Sequence, residues 1–190
     1  SFAMSEPNNG SDIANLTTRF DYKNHHIVLN GSKLWIGNAE NADIYIVWAR
    51  NSDGAVQGIV VEKNNITNFD SKIIKKKWSF RSSYTGQLFF NDSHIPSNQI
   101  LTSTSDIKDA YKCLNIGRYA VAWGALGIAE ECYEIALKYS IERKQFGSPI
   151  AGKQLIQKKL VDMITEISKA QLLCVKIGEL MVSEKITYQQ

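Results

Sequence analysis

Histidine is scarce in this chain. The three in 190 residues, His25, His26 and His94, fall in no H-E-x-x-H pattern, which excludes the helical zinc site of that spacing. Cysteine is equally sparse. Cys113, Cys132 and Cys174 form no C-x-x-C pair, so a zinc ribbon and a vicinal redox dithiol are excluded, and separated thiols on helix-patterned segments read as buried thiols in a reducing compartment. No apolar run reaches the ~18 residues of a membrane span. A dominant charge sign is missing too: 22 Lys and Arg oppose 19 Asp and Glu, leaving a net charge of +3. That balance gives no electrostatic footprint for nucleic acid. The G-x-G-x-x-G and G-x-x-x-x-G-K-[ST] phosphate loops are absent. Residues 1–10 lack the basic start and apolar core of a secretory signal.

What is present divides by period. From Asp21 to about Ile100 the signals are those of strands. Tyr22 to Leu29 leads into Asn30-Gly31, and Lys33 to Ile36 follows, which predicts a hairpin turning at Asn-Gly. Ile44 to Trp48, Asp53-Gly54 and Ile59 to Val61 predict a second hairpin. Shorter runs follow at Lys72 to Ile74 and Gln87 to Phe90. Between them, Lys75-Lys76-Lys77 reads as a solvated strand edge or loop. Regularly spaced short strands predict a small β-barrel or sandwich. From about Asp106 the period becomes helical. Leu114, Val121, Ala125, Ile128, Cys132, Ile135 and Tyr139 form one stripe, and Leu160, Met163, Ile164, Ile167, Cys174, Ile177 and Met181 form another. Gly147-Ser148-Pro149 separates them. The expectation is an α+β chain: a β-domain over residues 1–103, then over 104–190 two long antiparallel helices of an incomplete helical bundle. A hairpin alone leaves part of both stripes uncovered.

Four segments could carry chemistry. Glu6-Pro7-Asn8-Asn9-Gly10-Ser11-Asp12 is a turn-rich loop whose N–H groups, with the Ser5 and Ser11 hydroxyls, could converge on an anion or a carbonyl-rich ring edge. Lys33-Leu34-Trp35-Ile36-Gly37-Asn38 places a tryptophan near a strand end, where it can wall a planar ligand or fill a core. Arg143-Lys144-Gln145-Phe146-Gly147, followed by Gln154, offers a guanidinium fork suited to a phosphate, or a solvated helix end. Asn115 and Arg118 lie three apart on one helix face, open to a polar ligand or to solvent.

In order along the chain, these segments resemble one family. Met4 to Asp12 resembles the T-E-P-x-x-G-S-D segment of acyl-CoA dehydrogenases, Lys33 to Asn38 their K-x-W-I-T-N strand, and Tyr139 to Gln154 their Y-x-x-x-R-x-Q-F-G-x-P-[LI]-x-x-x-Q run. Cys113 to Tyr119, Ala122-Trp123-Gly124 and Gln154 to Leu160 look most like glutaryl-CoA dehydrogenase. The resemblance implies an FAD enzyme that oxidises an acyl-CoA thioester to the 2-enoyl-CoA. It further implies an electron-transfer flavoprotein as electron acceptor and a homotetramer.

By that resemblance, Phe2, Met4 and Ser5 line the flavin ring; Gly10 and Ser11 approach the FAD phosphates, Ser11 also meeting the acyl-CoA; and Trp35, Ile36 and Gly37 cover the isoalloxazine. Arg143 and Gln154 serve the pyrophosphate and adenosine side of an FAD held in the family by a neighbouring subunit, with Phe146 near that adenosine, and Asn115 and Arg118 serve the CoA. The catalytic glutamate of the family matches no residue here; Glu6, Glu130 and Glu131 stand at other positions. The expected compartment is the cytoplasm in a bacterium and the mitochondrial matrix in a eukaryote. One departure bears on the reaction. After Trp35-Ile36 the family usually has a threonine whose hydroxyl reaches the flavin near N5, whereas Gly37 resembles plant-type short-chain acyl-CoA oxidases. An oxidase of the same fold and a non-catalytic assembly domain are the alternative expectations.

Overall fold

Alternation of apolar and polar side chains drives the first half into strands. In Ile27 and Leu29, and in Tyr45, Val47 and Ala49, every second residue turns into one core. The computed structural model describes residues 1–183 and Lys185. The chain divides into two units, Ser1–Ala110 and Tyr111–Gln190. In the first, β1 (Phe2–Ala3), β2 (Arg19–Lys23), β3 (His26–Ile36), β4 (Ile44–Arg50), β5 (Val56–Glu62), β6 (Phe69–Ile73) and β7 (Gly86–Pro96) form one seven-stranded sheet. Its order is β1-β4-β2-β3-β7-β6, with β5 against β4. The sheet is mixed: β1 and β2 run parallel to β4, and the other pairs are antiparallel. Phe20, Ile27, Leu29, Tyr45, Ile59, Val61 and Leu88 are wholly buried in its core. The α+β class is as expected.

The hairpin at Asp53-Gly54 forms between β4 and β5. The one expected at Asn30-Gly31 does not. β3 runs through both residues as a single strand, and the chain reverses instead at Asn24-His25, with Asn24 at φ 53°. Gly31 serves a different need. Its φ is 140°, it lies at a register shift against β7, and a Cβ there would stand 2.6 Å from Thr18 Oγ1 and 2.7 Å from Thr18 Cα. A glycine inside a strand thus marks a bulge and a close backbone approach. Gly31→Ala should cost about 3 kcal/mol from strain and overpacking together, read as a lower urea midpoint at unchanged slope.

The lysine run lies in the loop between β6 and β7, and Lys77 is not simply solvated. Its ammonium donates to Phe80 O and Ser83 O at 2.7 Å and to Thr85 Oγ1 at 2.9 Å, pinning the loop.

The second unit contains most of α1 (Ile107–Glu142), a short hairpin of β8 (Lys144–Gln145) and β9 (Ser148–Pro149), and α2 (Gln154–Val182). The α2 stripe packs inward largely as expected, with Ile167 and Cys174 buried and Ala170 beside them. The α1 stripe does not. Val121, Ile128, Ile135 and Tyr139 are exposed, while Leu126, Ala129 and Tyr133 make the seam with α2. An antiparallel pair buries one narrow face of each helix, and α1 is apolar on more than one. The cysteines need the same correction: Cys174 is buried, but Cys113 and Cys132 are exposed. No described helix is long and apolar enough to cross a membrane.

Candidate functional site

β1 lies along β4, and the residues after it reach the end of β3. Phe2 and Ala3 pair with Ile46 and Val47. The Leu34 N–H donates to Ser5 O at 2.8 Å, and the Ser1 hydroxyl donates to Gly37 O at 2.6 Å. These bonds bring Phe2, Met4, Ser5, Trp35, Ile36 and Gly37, six of the expected flavin residues, into one cluster. They do not present themselves alike. Met4 and Ile36 are buried, so their side chains are not presented to a ligand. Phe2 packs on Trp48 with ring centroids 6.1 Å apart. Trp35 is the outward side chain: it is 60% exposed, has φ 63°, and sits at the second register shift of β3 against β7. Positive φ is a genuine outlier for a bulky residue, and such strain gathers where a side chain must be aimed. An indole held out from a sheet, with polar backbone and Ser5 beside it, suits a planar heteroaromatic ring.

The loop next to this cluster turns through reciprocal bonds, Glu6 N to Asn9 O at 3.1 Å and Asn9 N to Glu6 O at 3.2 Å. Gly10 and Ser11 follow and are exposed. A Cβ on Gly10 or on Gly37 would meet nothing within 4 Å. Neither glycine is therefore required by crowding within the chain, and both leave room for another molecule's close approach.

Sequence reasoning missed what lies beneath the cluster. Glu6 and Lys33 form an ion pair of 2.9 Å with side chains 1% and 0% exposed. Lys33 Nζ also donates to Met4 O at 3.0 Å. The carboxylate accepts from Thr17 N at 2.6 Å, Thr17 Oγ1 at 2.7 Å and Thr18 N at 2.8 Å. Burial by itself pushes the Glu6 carboxyl up, but the Lys33 charge and the Thr17 and Thr18 donors outweigh it and hold it at about 2. Burial pushes the Lys33 ammonium down to about 8, against the attraction of Glu6. The available signal was a Glu in a turn and a Lys at an inward strand position, each costly to bury alone.

The sign of the pH effect follows from the lowered carboxyl. Its stabilising contribution is present above about 4.5 and drains away as pH falls towards about 2. Acid titration of unfolding should show a steeper fall across that window for the native chain than for Glu6→Gln.

The remaining candidates belong to the second unit. α1 ends with Arg143 N donating to Tyr139 O, and Ile150 N donates back to Arg143 O, both at 2.8 Å. Between β8 and β9, Phe146 and Gly147 have φ 53° and 75°, the two positive angles of a tight two-residue hairpin turn. That turn holds the Phe146 ring 95% exposed, with Lys153 Nζ 6.0 Å from its centroid. Gln154 opens α2. Arg143, Phe146 and Gln154 thus share one end of the helical hairpin, where a guanidinium, an open ring face and an amide suit a phosphate joined to a heteroaromatic base. On α1, Arg118 Nη1 donates to Asn115 Oδ1 at 3.0 Å, so these two side chains meet. None of the three glutamates considered from sequence is placed as a base: Glu6 is locked to Lys33, Glu130 accepts from Gln171, and Glu131 is exposed.

Similarity to known proteins agrees with this geometry. The model of the acyl-CoA dehydrogenase middle domain matches residues 1–93, and that of the acyl-CoA dehydrogenase C-terminal domain matches residues 107–190. A glutaryl-CoA dehydrogenase of Desulfococcus multivorans is 34% identical over 180 residues, covering 92% of this chain and 46% of that protein. A crystal structure of glutaryl-CoA dehydrogenase from Mycobacterium smegmatis superposes with a TM-score of 0.94 at 36% identity, over 98% of this chain and 48% of that one. A structure from the same organism in complex with FADH2 gives a TM-score of 0.94 at 32% identity, over 98% and 48% of the two chains. This chain spans about half the length of these relatives. With both domain models matched in order along one chain that carries this cluster, the chain belongs to the acyl-CoA dehydrogenase family.

Proposed function

We propose that this chain is the flavin-binding middle of an FAD-dependent acyl-CoA dehydrogenase of the glutaryl-CoA dehydrogenase type. On this reading, residues 1–103 are the middle β-domain and 104–190 the first two helices of the C-terminal helical domain. The observation that carries the reading is Trp35, held outward by left-handed backbone beside Ser5 and Gly37. The relative in complex with FADH2 supports the identity of the planar ligand. FAD, when bound, supplies the hydride acceptor for the substrate β-hydrogen.

The residues of this chain then bind and orient. Trp35 covers one part of the ring, and the backbone of Met4, Ile36 and Gly37 with the Ser5 side chain borders it. Gly10 and Ser11 admit phosphate oxygens. Arg143, Phe146 and Gln154 hold the pyrophosphate and adenosine of an FAD seated on a neighbouring copy of the chain, and Asn115 with Arg118 holds part of the CoA. The α-proton is taken by a carboxylate that these residues do not supply. The partners on this reading are an acyl-CoA, an electron-transfer flavoprotein and further copies of the chain in a homotetramer.

The test is the visible spectrum of the intact protein after purification and reconstitution with FAD. Flavin bands that remain with the protein through gel filtration are expected, and their absence would sink the reading. Gly37 favours a second reading, a short-chain acyl-CoA oxidase. Oxygen consumption with a short-chain acyl-CoA, together with no turnover of electron-transfer flavoprotein, would decide for the oxidase.

A further inference from the structure

The geometry points to Glu6 and Lys33 as a positioning pair: together they set the spacing between the Met4–Ser5 backbone and the Trp35 strand, and so the fit of the flavin ring. The inference rests on the proposed FAD reading and deepens it. Two properties of the pair support it. It is buried, with Lys33 0% and Glu6 1% exposed at the side chain, so it touches no ligand itself. It also ties three separate stretches together. Lys33 belongs to β3, and its ammonium reaches Met4 O and Glu6 Oε1 in the leading loop. The same carboxylate accepts from Thr17 and Thr18, just before β2.

The neighbours of the pair in sequence are the residues assigned to the ring. Met4 and Ser5 immediately precede Glu6, and Trp35 follows Lys33 by two. The other bonds between these stretches, Leu34 N to Ser5 O and the Ser1 hydroxyl to Gly37 O, do not themselves hold Met4 or Glu6. The ammonium's bond to Met4 O and its pair with Glu6 add two more fixed points. A charge-assisted bond in a dry site is shorter and stronger than a neutral one. An apolar pair would fill the same volume without fixing the loop. A purely stabilising role predicts that any equally destabilised variant handles FAD as this one does, and a positioning role predicts otherwise.

The experiment uses the intact protein loaded with FAD and compares three variants with it. Glu6→Gln/Lys33→Met removes the charges while keeping the volume. Phe20→Leu weakens the core without removing any bond of the pair. Thr17→Val strips one bond from the carboxylate and is mild enough to fold in any case. Thermal melting, FAD dissociation and the position of the flavin absorption bands are measured for each. The expected result is FAD binding at least about tenfold weaker in the double variant, with displaced bands, and about two- to fivefold weaker in Thr17→Val with bands displaced the same way. Phe20→Leu is expected to melt lower and keep native affinity and bands. Should the double variant fail to fold, Thr17→Val decides by the same criteria. Native affinity and bands in the folded double variant or in Thr17→Val, or an equal loss in Phe20→Leu, would overturn the inference while leaving the FAD reading intact. An unsubstituted protein that holds no FAD overturns both.

Discussion

Lys33→Met lowers the unfolding free energy by about 3–5 kcal/mol, because it strands the Glu6 carboxylate in the interior without its countercharge. Two opposed terms set that figure. Taking both ions out of water costs several kcal/mol each, and their attraction together with the Thr17 and Thr18 donors offsets it. Removing one partner keeps the desolvation cost of the other and forfeits the attraction. Glu6→Gln/Lys33→Met should recover most of the loss, since neither side chain then carries a charge. Urea unfolding followed by far-ultraviolet circular dichroism checks both values. A double variant no more stable than Lys33→Met would mean that the bonds, and not the charges, carry the energy.

Arg143→Ala in the intact protein weakens FAD binding by about 10- to 150-fold. A charge-assisted hydrogen bond contributes about 1.5–3 kcal/mol net, and 1.4 kcal/mol is a factor of ten. Arg143 sits where the fold ends α1 and starts the β8–β9 hairpin, its backbone fixed on both sides by Tyr139 and Ile150. The guanidinium is thus presented from a defined anchor while remaining exposed. Equilibrium dialysis against FAD measures the change. Arg143→Lys should fall in between, because a single ammonium replaces the two-pronged fork. Unchanged affinity in Arg143→Ala would remove Arg143 from the cofactor site.

Legibility in the sequence differed residue by residue. Trp35, Ser5 and the Arg143-to-Gln154 run were visible as motifs, since chemistry-bearing side chains at fixed separations survive in one dimension. The outward aim of Trp35 was not visible, because it depends on a register shift between β3 and β7, strands about fifty residues apart in the chain. The Asn30-Gly31 error has the same origin. Asn-Gly fits a turn and Gly also fits a bulge, and only the approach of Thr18 decides between them. In α1 the most regular apolar stripe is not the one that meets α2, because periodicity reports a face and not its partner.

By itself the sequence determined the local conformations and the chemical inventory. Short-range sterics and the alternation of apolar residues separate a β-rich first half from a helical second half, and the ordered motifs name the family. Tertiary structure alone decided which groups share a place. It buried Glu6 against Lys33 across 27 residues of chain, turned Met4 and Ile36 inward and Trp35 outward, and left Cys113 and Cys132 in the open. The physical reason is that burial and pairing energies depend on distance in space, and a linear pattern carries that distance only within a turn or a strand.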